Sequence, residues 1–458
     1  MTARYVVGID KGTTATKAVV FDARDGRVMG SAHRETGCLH AHPGWHEEDM
    51  EVTFGRVVEC IAGALEQAGI APGDVAGVGV SGHMGGLWAL DGQGTPVGNA
   101  IAWPDGRAAE MLQDWSARGI VDEIYSISGN APIPGLPLVL LAWLSQHDPK
   151  RLERISTLFC AKDYINYRLT GEIATDESDL SFFPCDIRAR CHASRLFEIA
   201  GVPGLEGALP PVLPTGATVG HVTEEAARLT GLAPGTPVAT GAGDAVAAAL
   251  GAGATAPGQA VTVIGTSFMN NLTTDRPVLE PEGAGFLFLM PDGNWQRLMA
   301  NTGGGSLCLD WALEAFCHDR LAAAETRGAL LAEVEQEAAA APPLSGGLIV
   351  HPYFNTSGMS APRFEPDARG SIFGLDTNTG PAQALRAVME GVAFSMTECY
   401  ASLDAPVDDI RITGGGARSA LWRSICAAAV DRPLMIPEAE ETGALGVGLL
   451  GAVCGGVH

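Results

Sequence analysis

The sequence lacks the signature motifs of several enzyme classes. Its 458 residues contain no Gly-Lys dipeptide, which excludes a P-loop, and neither a Gly-x-Ser-x-Gly elbow nor a His-Glu-x-x-His metal helix occurs. The ten cysteines form no Cys-x-x-Cys pair, and several stand in apolar stretches, as at Cys160, Cys308 and Cys426. We therefore expect reduced, buried thiols rather than disulfides or a zinc site.

Positively charged residues are also few. Lys and Arg together number 29 against 53 Asp and Glu, for a formal net charge of −24 at pH 7. A surface of this sign repels nucleic acid and anionic membranes, so we expect neither as a partner. Phosphate binding is not excluded, because backbone N–H groups and helix N-termini supply positive potential locally.

No segment has the length and apolarity of a membrane span. Residues 1–8 run directly into Asp10 and Lys11 without the apolar core of a signal peptide. The longest uncharged stretch, Ala245–Thr274, is interrupted by glycine, proline and asparagine, whereas a span needs about 20 apolar residues. We interpret this stretch as a helix, a loop and a hairpin, and we expect a cytoplasmic protein.

Glycine, by contrast, is abundant. The 59 glycines are well above the ordinary usage of about 7% of residues, while 46% of the chain is hydrophobic. This combination indicates a folded protein with many sharp turns rather than a disordered one. At roughly 150 residues per domain, the length predicts two or three domains.

Two similar series of elements are predicted about half a chain apart, each opened by a hairpin with a Gly-Thr turn. The predicted elements are, in chain order, an antiparallel meander of Tyr5–Ile9, Thr16–Asp22 and Val28–His33; helix Met50–Ala68; strands Val75–Val80 and Val238–Gly241; helix Ala245–Leu250; a hairpin of Ala260–Ile264 and Ser267–Thr273; strand Ile410–Thr413; helix Arg418–Val430; strand Leu434–Ile436; and helix Thr442–Ala452. The alternation of strand and helix predicts an α/β protein with an internal duplication. Small residues at Gly251–Gly258 place the boundary between a domain of residues 1–250 and one of residues 251–458.

The first turn with candidate chemistry is the segment from Asp10 to Lys17. Gly12 permits a tight turn, Thr13 and Thr14 offer hydroxyl and N–H donors, and Asp10 at the strand end suits a hydrated Mg²⁺. This set is appropriate for a triphosphate. An ordinary Gly-Thr hairpin turn explains the same residues equally well.

Two further glycine-rich turns strengthen the phosphate interpretation. One is Gly265-Thr266-Ser267 after an apolar strand, and the other is the triple glycine Gly414–Gly416 before the predicted helix Arg418–Val430. Together with the first turn they are numerous enough to surround one nucleotide. A plain strand-to-helix turn is the alternative for the triple glycine.

Asp244 is the candidate general base. It follows an apolar strand and Gly243, which is too small to shield it, so its carboxylate is placed to accept a proton from a substrate hydroxyl. On position alone a helix N-cap for Ala245–Leu250 is the favoured explanation, since Asp favours that position. The two roles do not exclude each other.

A histidine and glutamate cluster also has metal-ligating residue types. It consists of His40, His42, His46, Glu47 and Glu48, in a segment rich in proline and glycine. Because these residues lack helical spacing, a solvated loop is favoured over a metal site.

Taken in order, these and further segments make the chain resemble the FGGY family of carbohydrate kinases over nearly its whole length. The segments that carry the resemblance are Asp10–Lys17, Gly44–Asp49, Trp103–Arg107, Asp163-Tyr164 through Leu169–Gly171, Gly243-Asp244, Gly265–Ser267, Ala368–Leu375, Glu390-Gly391 and Gly414–Gly416. The resemblance implies an α/β fold of two actin-like (ribonuclease H-like) ATPase domains with an interdomain cleft. Sugar would be bound mostly by residues 1–250 and ATP mostly by residues 251–458. Domain closure and a homodimer are implied by the resemblance alone.

The resemblance also implies roles for individual residues. Asp244 corresponds to the general base, and it joins Asp10 as a Mg²⁺-organising acid. The implied nucleotide-binding residues are Thr13, Thr14, Gly265, Thr266, Ser267, Gly415 and Gly416, and the implied sugar-facing residues are His83, Met84, Trp103, Asp105 and Asp244. Phosphoryl transfer depends mainly on positioning and charge stabilisation, which N–H loops and Mg²⁺ supply.

Departures from the family pattern concern the sugar. Where xylulose kinases usually carry Gln-Met-His-Gly, this chain has His83-Met84-Gly85-Gly86, and Gly358-Met359-Ser360 replaces the usual Gly-Glu-Arg. We therefore expect an ATP- and Mg²⁺-dependent kinase of a small sugar, a ketopentose of the xylulose type first, phosphorylated at a terminal hydroxyl. Erythritol, glycerol and gluconate are alternative substrates. A non-catalytic actin-fold module that senses nucleotide and sugar is the alternative from another class.

Overall fold

The computed structural model of the chain describes residues 4–301, 304–355 and 358–457. These residues form two compact units. Unit 1 comprises residues 1–253, 287–296 and 441–458, and unit 2 comprises residues 254–286 and 297–440. The chain therefore passes between the units more than once.

Strands and α-helices follow one another throughout the described residues. The strands are β1 (Tyr5–Lys11), β2 (Ala15–Asp22), β3 (Val28–Glu35), β4 (Cys38–Leu39), β5 (Glu47–Glu48), β6 (Val75–Gly82), β7 (Trp88–Leu90), β8 (Ala100–Ile101), β9 (Thr157–Phe159), β10 (Thr175–Asp176), β11 (Cys185–Asp186), β12 (Cys191–His192), β13 (Val212–Leu213), β14 (Thr218–His221), β15 (Pro237–Ala239), β16 (Ala242–Gly243), β17 (Gln259–Ile264), β18 (Phe268–Thr274), β19 (Phe286–Leu289), β20 (Trp295–Asn301), β21 (Ile349–His351), β22 (Ser371–Phe373), β23 (Asp409–Thr413) and β24 (Leu434–Met435). The α-helices are α1 (Met50–Ala68), α2 (Ala109–Ala117), α3 (Ile120–Ser128), α4 (Pro137–His147), α5 (Pro149–Glu153), α6 (Ala161–Thr170), α7 (Glu177–Leu180), α8 (Ser194–Ile199), α9 (Glu224–Thr230), α10 (Asp244–Gly251), α11 (Ser306–Ala323), α12 (Arg327–Ala340), α13 (Pro381–Ala401), α14 (Ala420–Ala429) and α15 (Thr442–Cys454).

Unit 1 is built on a mixed seven-stranded sheet. Its order is β14-β15-β6-β1-β2-β3, with β16 also paired to β6. The antiparallel meander β1-β2-β3 confirms the sequence prediction, and β6 lies parallel to β1. Apolar residues on one face of the sheet, such as Val7 and Ile9, pack into a core shared with α1. Helix α1 has the predicted bounds because Asp49 caps its first turn and Gly69, with a positive φ, ends it.

Unit 2 repeats the same arrangement. Strands of its sheet run in the order β20-β18-β17-β23-β24. The hairpin β17-β18 is antiparallel and β17 lies parallel to β23, just as β1-β2 is antiparallel and β1 lies parallel to β6. Helices α11, α13 and α14 bury apolar side chains in the core of this unit. The predicted duplication is therefore present in the strand pairing.

The C-terminal helix α15 packs in unit 1, although the sequence groups it with residues 251–458. Glycines of β1 and β6 make this packing so close that side chains would not fit. A Cβ on Gly8 would lie 1.9 Å from the carbonyl oxygen of Ala444, and a Cβ on Gly79 would lie 1.9 Å from that of Val447. The two units thus do not follow one boundary at residue 250.

Two predicted elements differ in continuity or starting point. The predicted strand Val238–Gly241 is two short strands, because Gly241 has φ +75° and interrupts the pairing with β6. The predicted helix Arg418–Val430 begins instead at Ala420, capped by the Ser419 hydroxyl. The triple glycine consequently leads into a short 3₁₀ turn, Gly415–Arg418, and not directly into the helix.

The long uncharged stretch Ala245–Thr274 forms α10, a loop and the hairpin β17-β18, as predicted. Among the helices of the described residues, none is both long and apolar enough to cross a membrane. All ten cysteines are free thiols and most are buried, as the apolar residues around them in the sequence predicted.

Candidate active site

Asp10 lies in β1 at the centre of the unit 1 sheet. Lys17 of β2 and Ser81 of β6 are its register partners on the two neighbouring strands. Its Oδ1 atom is buried and accepts no hydrogen bond from the residues that the structure describes. Burial raises the pKa of this carboxyl. The first turn of α15 approaches from the other side, since a Cβ on Gly443 would lie 3.0 Å from Asp10 Oδ2.

Asp244 is the first residue of α10. Its Oδ1 accepts a 2.8 Å hydrogen bond from the N–H of Ala245, while Gly243 occupies the N-cap position. The N-cap interpretation of Asp244 is therefore wrong. Burial first and the negative charge of Asp10 second raise the pKa of Asp244 to about 7. The fold thus brings together two carboxyls that are more than 200 residues apart in the sequence.

The first predicted phosphate turn is the connection between β1 and β2. The Gly12 N–H donates to the Ala15 carbonyl at 2.9 Å and closes the turn. Thr13 accepts a 2.9 Å hydrogen bond from the indole N–H of Trp103, which places a predicted sugar-facing residue directly against a predicted nucleotide-binding one. Thr14 is exposed.

Met84 lies beside the residue that precedes Asp244. A Cβ on Gly243 would be 2.5 Å from both Cγ and Sδ of Met84, so these two residues are in close contact. The following residues, Gly85 and Gly86, both have positive φ values, and a Cβ on Gly86 would lie 2.6 Å from the Ile101 carbonyl oxygen. The positive φ values therefore favour glycine at both positions.

His83, also predicted to face the sugar, is buried in a polar cluster. Its Nε2 lies 3.3 Å from Glu48 Oε1, and Lys11 Nζ donates to the same carboxylate at 2.7 Å. Burial raises the proton affinity of Glu48, but the hydrogen bond from His83 and the charge of Lys11 outweigh this effect and hold its pKa at about 2. Burial, followed by the charge of Lys11, lowers the pKa of His83. The ring is therefore neutral at pH 7, and its Nδ1 has no hydrogen-bond partner among the described residues.

Asp105 is occupied by protein groups. Its Oδ1 accepts from the N–H and Nε of Arg107 at 2.9 and 2.8 Å, and its Oδ2 accepts from Arg107 Nη2 at 3.0 Å and the His46 N–H at 2.6 Å. Two hydrogen bonds to each oxygen fill the usual acceptor positions of a carboxylate. The side chain is also buried. This arrangement stabilises the loop and presents no free acceptor for a sugar hydroxyl.

The histidine and glutamate cluster is divided in the structure. His40 and His42 are exposed, while Glu47 and Glu48 form the buried strand β5. Glu47 accepts from Arg107 at 2.7 Å, and Glu48 is paired with Lys11. Both carboxylates are thus buried and paired with internal cations, so the expectation of a solvated loop is wrong for Glu47 and Glu48, whereas His40 and His42 are exposed as expected.

In unit 2 two of the predicted glycine turns lie next to each other. Gly265 donates its N–H to the Ser267 carbonyl at 3.0 Å, and Thr266 at the tip is exposed. A Cβ on Gly414 would lie 2.6 Å from the Ile264 carbonyl oxygen, and a Cβ on Gly416 would lie 2.4 Å from Ile264 Cγ2. Gly415 is exposed and its Cβ position is open. Only glycine permits this contact between the two turns.

Sequence reasoning missed residues that complete both groups. In unit 2, Gly305 joins the paired turns, because a Cβ there would lie 2.3 Å from the Gly265 carbonyl oxygen, and Ser306 donates its N–H to the same oxygen at 2.7 Å. Glycines before an apolar helix were the available signal. In unit 1, the Lys17 ammonium is 2.7 Å from Glu441, beside Asp10. No local pattern predicts the contact between Lys17 and Glu441, because the two residues are far apart in the sequence.

Each unit thus has a hairpin with a glycine and hydroxyl turn on a five-strand or larger sheet, the arrangement of an actin-like ATPase fold. The N-terminal domain of the FGGY family of carbohydrate kinases matches residues 5–251, and the C-terminal domain of that family matches residues 260–454. The chain therefore belongs to the FGGY family of carbohydrate kinases and is a phosphotransferase.

Individual relatives differ in the substrate that their names state. The chain is 28% identical to the probable L-xylulose kinase of Pasteurella multocida, over 97% of this chain and 90% of that protein. It is 28% identical to the erythritol kinase of Brucella abortus, over 99% of this chain and 88% of that protein. The crystal structure of xylulose kinase from Rhodospirillum rubrum matches with a TM-score of 0.88 and 28% identity, over 99% of this chain and 90% of that chain. Sugar kinases of this family use ATP with a divalent metal ion.

Proposed function

We propose that the protein transfers the γ-phosphoryl group of ATP to a terminal hydroxyl of a ketopentose of the xylulose type, with Asp244 as the general base. The observation that carries this proposal is the position of Asp244 at the start of α10, beside Asp10, with a pKa raised to about 7. A carboxyl with this pKa is divided between its acid and base forms at neutral pH. A general base needs both a well-populated ionised form and a high proton affinity. A pKa near the working pH gives Asp244 both properties.

The proposed reaction includes one proton transfer to a protein side chain. The substrate hydroxyl donates its proton to the Asp244 carboxylate as its oxygen attacks the γ-phosphorus, and the terminal oxygen of ADP leaves with the P–O electron pair. The neighbouring Asp10 carboxylate raises the proton affinity of Asp244 and so favours this transfer. General base catalysis of this kind contributes about 10² to 10⁴ in rate.

The residues present fit a magnesium ion. Asp10 Oδ1 is buried without a hydrogen-bond partner among the described residues, and a second carboxyl, that of Asp244, is near enough to influence its neighbour electrostatically. Carboxylate oxygens are the donors that Mg²⁺ prefers. Asp10 would hold the ion with Asp244 beside it, and the bound ion would neutralise charge on the transferred phosphate. Asp10 itself would then carry its full negative charge.

Each of the glycine turns would offer backbone N–H groups to a phosphate. In unit 1 the turn at Gly12 exposes Thr14, and in unit 2 the turn at Gly265 exposes Thr266. Backbone N–H groups in such turns bind phosphate oxygens without any net positive charge on the chain, which suits a protein with a charge of −24. The exposed glycine Gly415 lets an adenosine approach the backbone closely.

The preference for a ketopentose rests on the names of the relatives. The segment His83–Gly86 makes this preference less specific, because Met84 is apolar and contacts Gly243, and Gly85 and Gly86 have no side chains to bind a hydroxyl. The erythritol kinase relative keeps a short polyol as the alternative substrate. A homodimer is proposed from the family resemblance alone, and sedimentation at several concentrations would test it.

A substrate panel tests the proposal. ADP formation from ATP and Mg²⁺ is measured with D-xylulose, L-xylulose, ribulose, erythritol, glycerol and gluconate, and we expect a ketopentose to give the highest kcat/KM. Asp244→Asn should lower kcat about 10²-fold or more without changing the far-UV circular dichroism spectrum. A near-normal kcat in this variant would refute the base assignment, and ATP binding without any sugar-dependent ADP formation would favour a sensor.

A further inference from the structure

A buried hydrogen bond holds the backbone immediately before Asp244. The N–H of Gly243 donates to the hydroxyl oxygen of Ser178 at 2.8 Å. Ser178 lies in the short helix α7 and is fully buried. The two residues are distant in sequence, so this contact exists only because α7 packs against β16.

Asp176 fixes the orientation of the Ser178 hydroxyl. The Ser178 hydroxyl donates to Asp176 Oδ2 at 2.7 Å, and the same oxygen accepts from the Thr215 hydroxyl at 2.8 Å. Asp176 Oδ1 accepts from the N–H of Asp179 at 3.2 Å. A serine hydroxyl has one proton, so donation to Asp176 leaves a lone pair directed at the Gly243 N–H.

Lys162 fixes Asp176 in turn. Its ammonium lies 2.9 Å from Asp176 Oδ1 and 3.1 Å from Asp179, and it also contacts Asp163. All of these side chains are at most 1% exposed. Burial opposes the charge of Lys162, but the three carboxylates outweigh it and raise its pKa well above the ordinary value. The ammonium therefore remains charged and is paired with all three carboxyls.

Gly243 is also confined on its other sides. Strand β16 pairs Gly243 with Gly82 of β6, and Met84 fills the space where a Cβ would stand. These contacts limit the directions in which Gly243 can move. The Ser178 oxygen orients the peptide plane between Ala242 and Gly243, which lies one residue before the peptide plane that joins Gly243 to Asp244.

We propose that Ser178 is a positioning residue for the reaction, which acts by holding the Gly243 N–H so that the Asp244 carboxylate faces the accepting hydroxyl, with Asp176 and Lys162 orienting the Ser178 hydroxyl. The inference rests on the proposed function of Asp244. Ser178 does not touch the substrate. Misplacement of a catalytic group by about 1 Å costs on the order of 10²-fold in rate, so a single buried hydrogen bond at this place is significant.

Steady-state kinetics of Ser178→Ala test the proposal. We expect kcat to fall about 10- to 100-fold while KM for sugar and for ATP stays within about twofold, because binding contacts remain and only the base is displaced. Ser178→Cys keeps an acceptor in place of the hydroxyl but one that accepts hydrogen bonds weakly, so its kcat should lie between those of the wild type and the alanine variant. The cysteine variant also provides a folded protein if the alanine variant does not fold.

Ser128→Ala is the matched control. Ser128 is another buried serine of unit 1, and its hydroxyl donates to the Ile124 carbonyl at 3.0 Å, away from Gly243. Hydrogen–deuterium exchange of the peptide that contains Gly243 gives a readout independent of activity. It should become faster in Ser178→Ala and stay unchanged in Ser128→Ala.

The outcomes separate this inference from the proposed function. A wild-type kcat in Ser178→Ala, or an equal fall in Ser128→Ala, overturns the positioning role. Parallel measurement of Asp244→Asn decides the other question. If Asp244→Asn is inactive while Ser178→Ala is normal, only the positioning inference fails, whereas a normal kcat in Asp244→Asn overturns both.

Discussion

The indole N–H of Trp103 donates a 2.9 Å hydrogen bond to the hydroxyl of Thr13. If Trp103 faces the sugar and Thr13 a phosphate, this bond connects the two binding functions within unit 1. We predict that the two side chains contribute to kcat/KM non-additively. A double-mutant cycle with Trp103→Phe and Thr13→Val should give a coupling energy of about 0.5 to 1.5 kcal/mol, the usual net value of a hydrogen bond.

The control for this cycle is the adjacent threonine. Thr14 is exposed, and the hydrogen bond of Trp103 goes to Thr13. Trp103→Phe combined with Thr14→Val should therefore be additive to within about 0.5 kcal/mol. Additivity in both cycles would show that the hydrogen bond does not connect the two functions.

The raised pKa of Asp244 predicts an unusual dependence of the unfolding free energy on pH. Its pKa rises from an ordinary 3.8 to about 7 in the folded state, chiefly through burial. The folded state therefore holds this proton more tightly, and the resulting stabilisation is complete below about pH 4 and is lost as the pH rises through 7. Because asparagine does not ionise, Asp244→Asn removes this loss of stability at high pH. At pH 8 we expect its unfolding free energy to exceed that of the wild type by about 2 to 4 kcal/mol, and near pH 4 the two should agree.

Chemical denaturation at both pH values provides this measurement. A difference that is the same at pH 4 and pH 8 would contradict a raised pKa for Asp244.

The activity profile should report the same carboxyl. Because the ionised form of Asp244 is the proposed base, kcat/KM should fall below about pH 7, on an acidic limb. The charge of Asp10 is the second cause of the raised pKa, so Asp10→Asn should move the limb of the residual activity to lower pH. An unmoved limb would mean that burial alone sets the pKa.

The close packing of α15 predicts a severe effect at Gly79. A Cβ there would lie 1.9 Å from the Val447 carbonyl oxygen, and neither backbone can move without separating helix from sheet. We expect Gly79→Ala to cost about 3 kcal/mol or more of unfolding free energy. Gly73→Ala is the control, since its Cβ position is open and its φ is not positive, and it should change stability by less than about 0.5 kcal/mol. Urea titration followed by circular dichroism distinguishes the two variants.

Asp105 tests a sequence prediction against the geometry. Its four hydrogen bonds to Arg107 and His46 favour a structural role, although the resemblance places it toward the sugar. We predict that Asp105→Asn lowers the melting temperature, because an amide nitrogen cannot accept the hydrogen bonds that a carboxylate oxygen accepts. Its sugar KM at a temperature where the variant is fully folded should stay within about threefold. A large increase in KM without loss of stability would show that Asp105 binds the sugar.

Much of the fold was predictable because its signals are local. The meander from Tyr5 to Glu35 follows from β-branched runs and turn residues, and helix α1 follows from apolar spacing between Asp49 and Gly69. The residues of hairpin β17-β18 show the same kind of pattern, and they predicted the start of the second series of strands and helices. These patterns depend on residues within one or two turns of each other, so the sequence contains them completely.

The sequence by itself determined the family, the two glycine hairpins and the choice of Asp10 and Asp244 as candidate acids. Only the tertiary structure decided what surrounds them. It placed Gly443 of α15 against Asp10. It also paired the Asp105 carboxylate with Arg107, and it brought the Ser178 hydroxyl within hydrogen-bond distance of the Gly243 N–H. Such contacts depend on strand register and helix packing between distant segments, and on which buried polar groups satisfy one another. A local pattern of residues cannot specify these partners, because each is selected by the geometry of the folded chain as a whole.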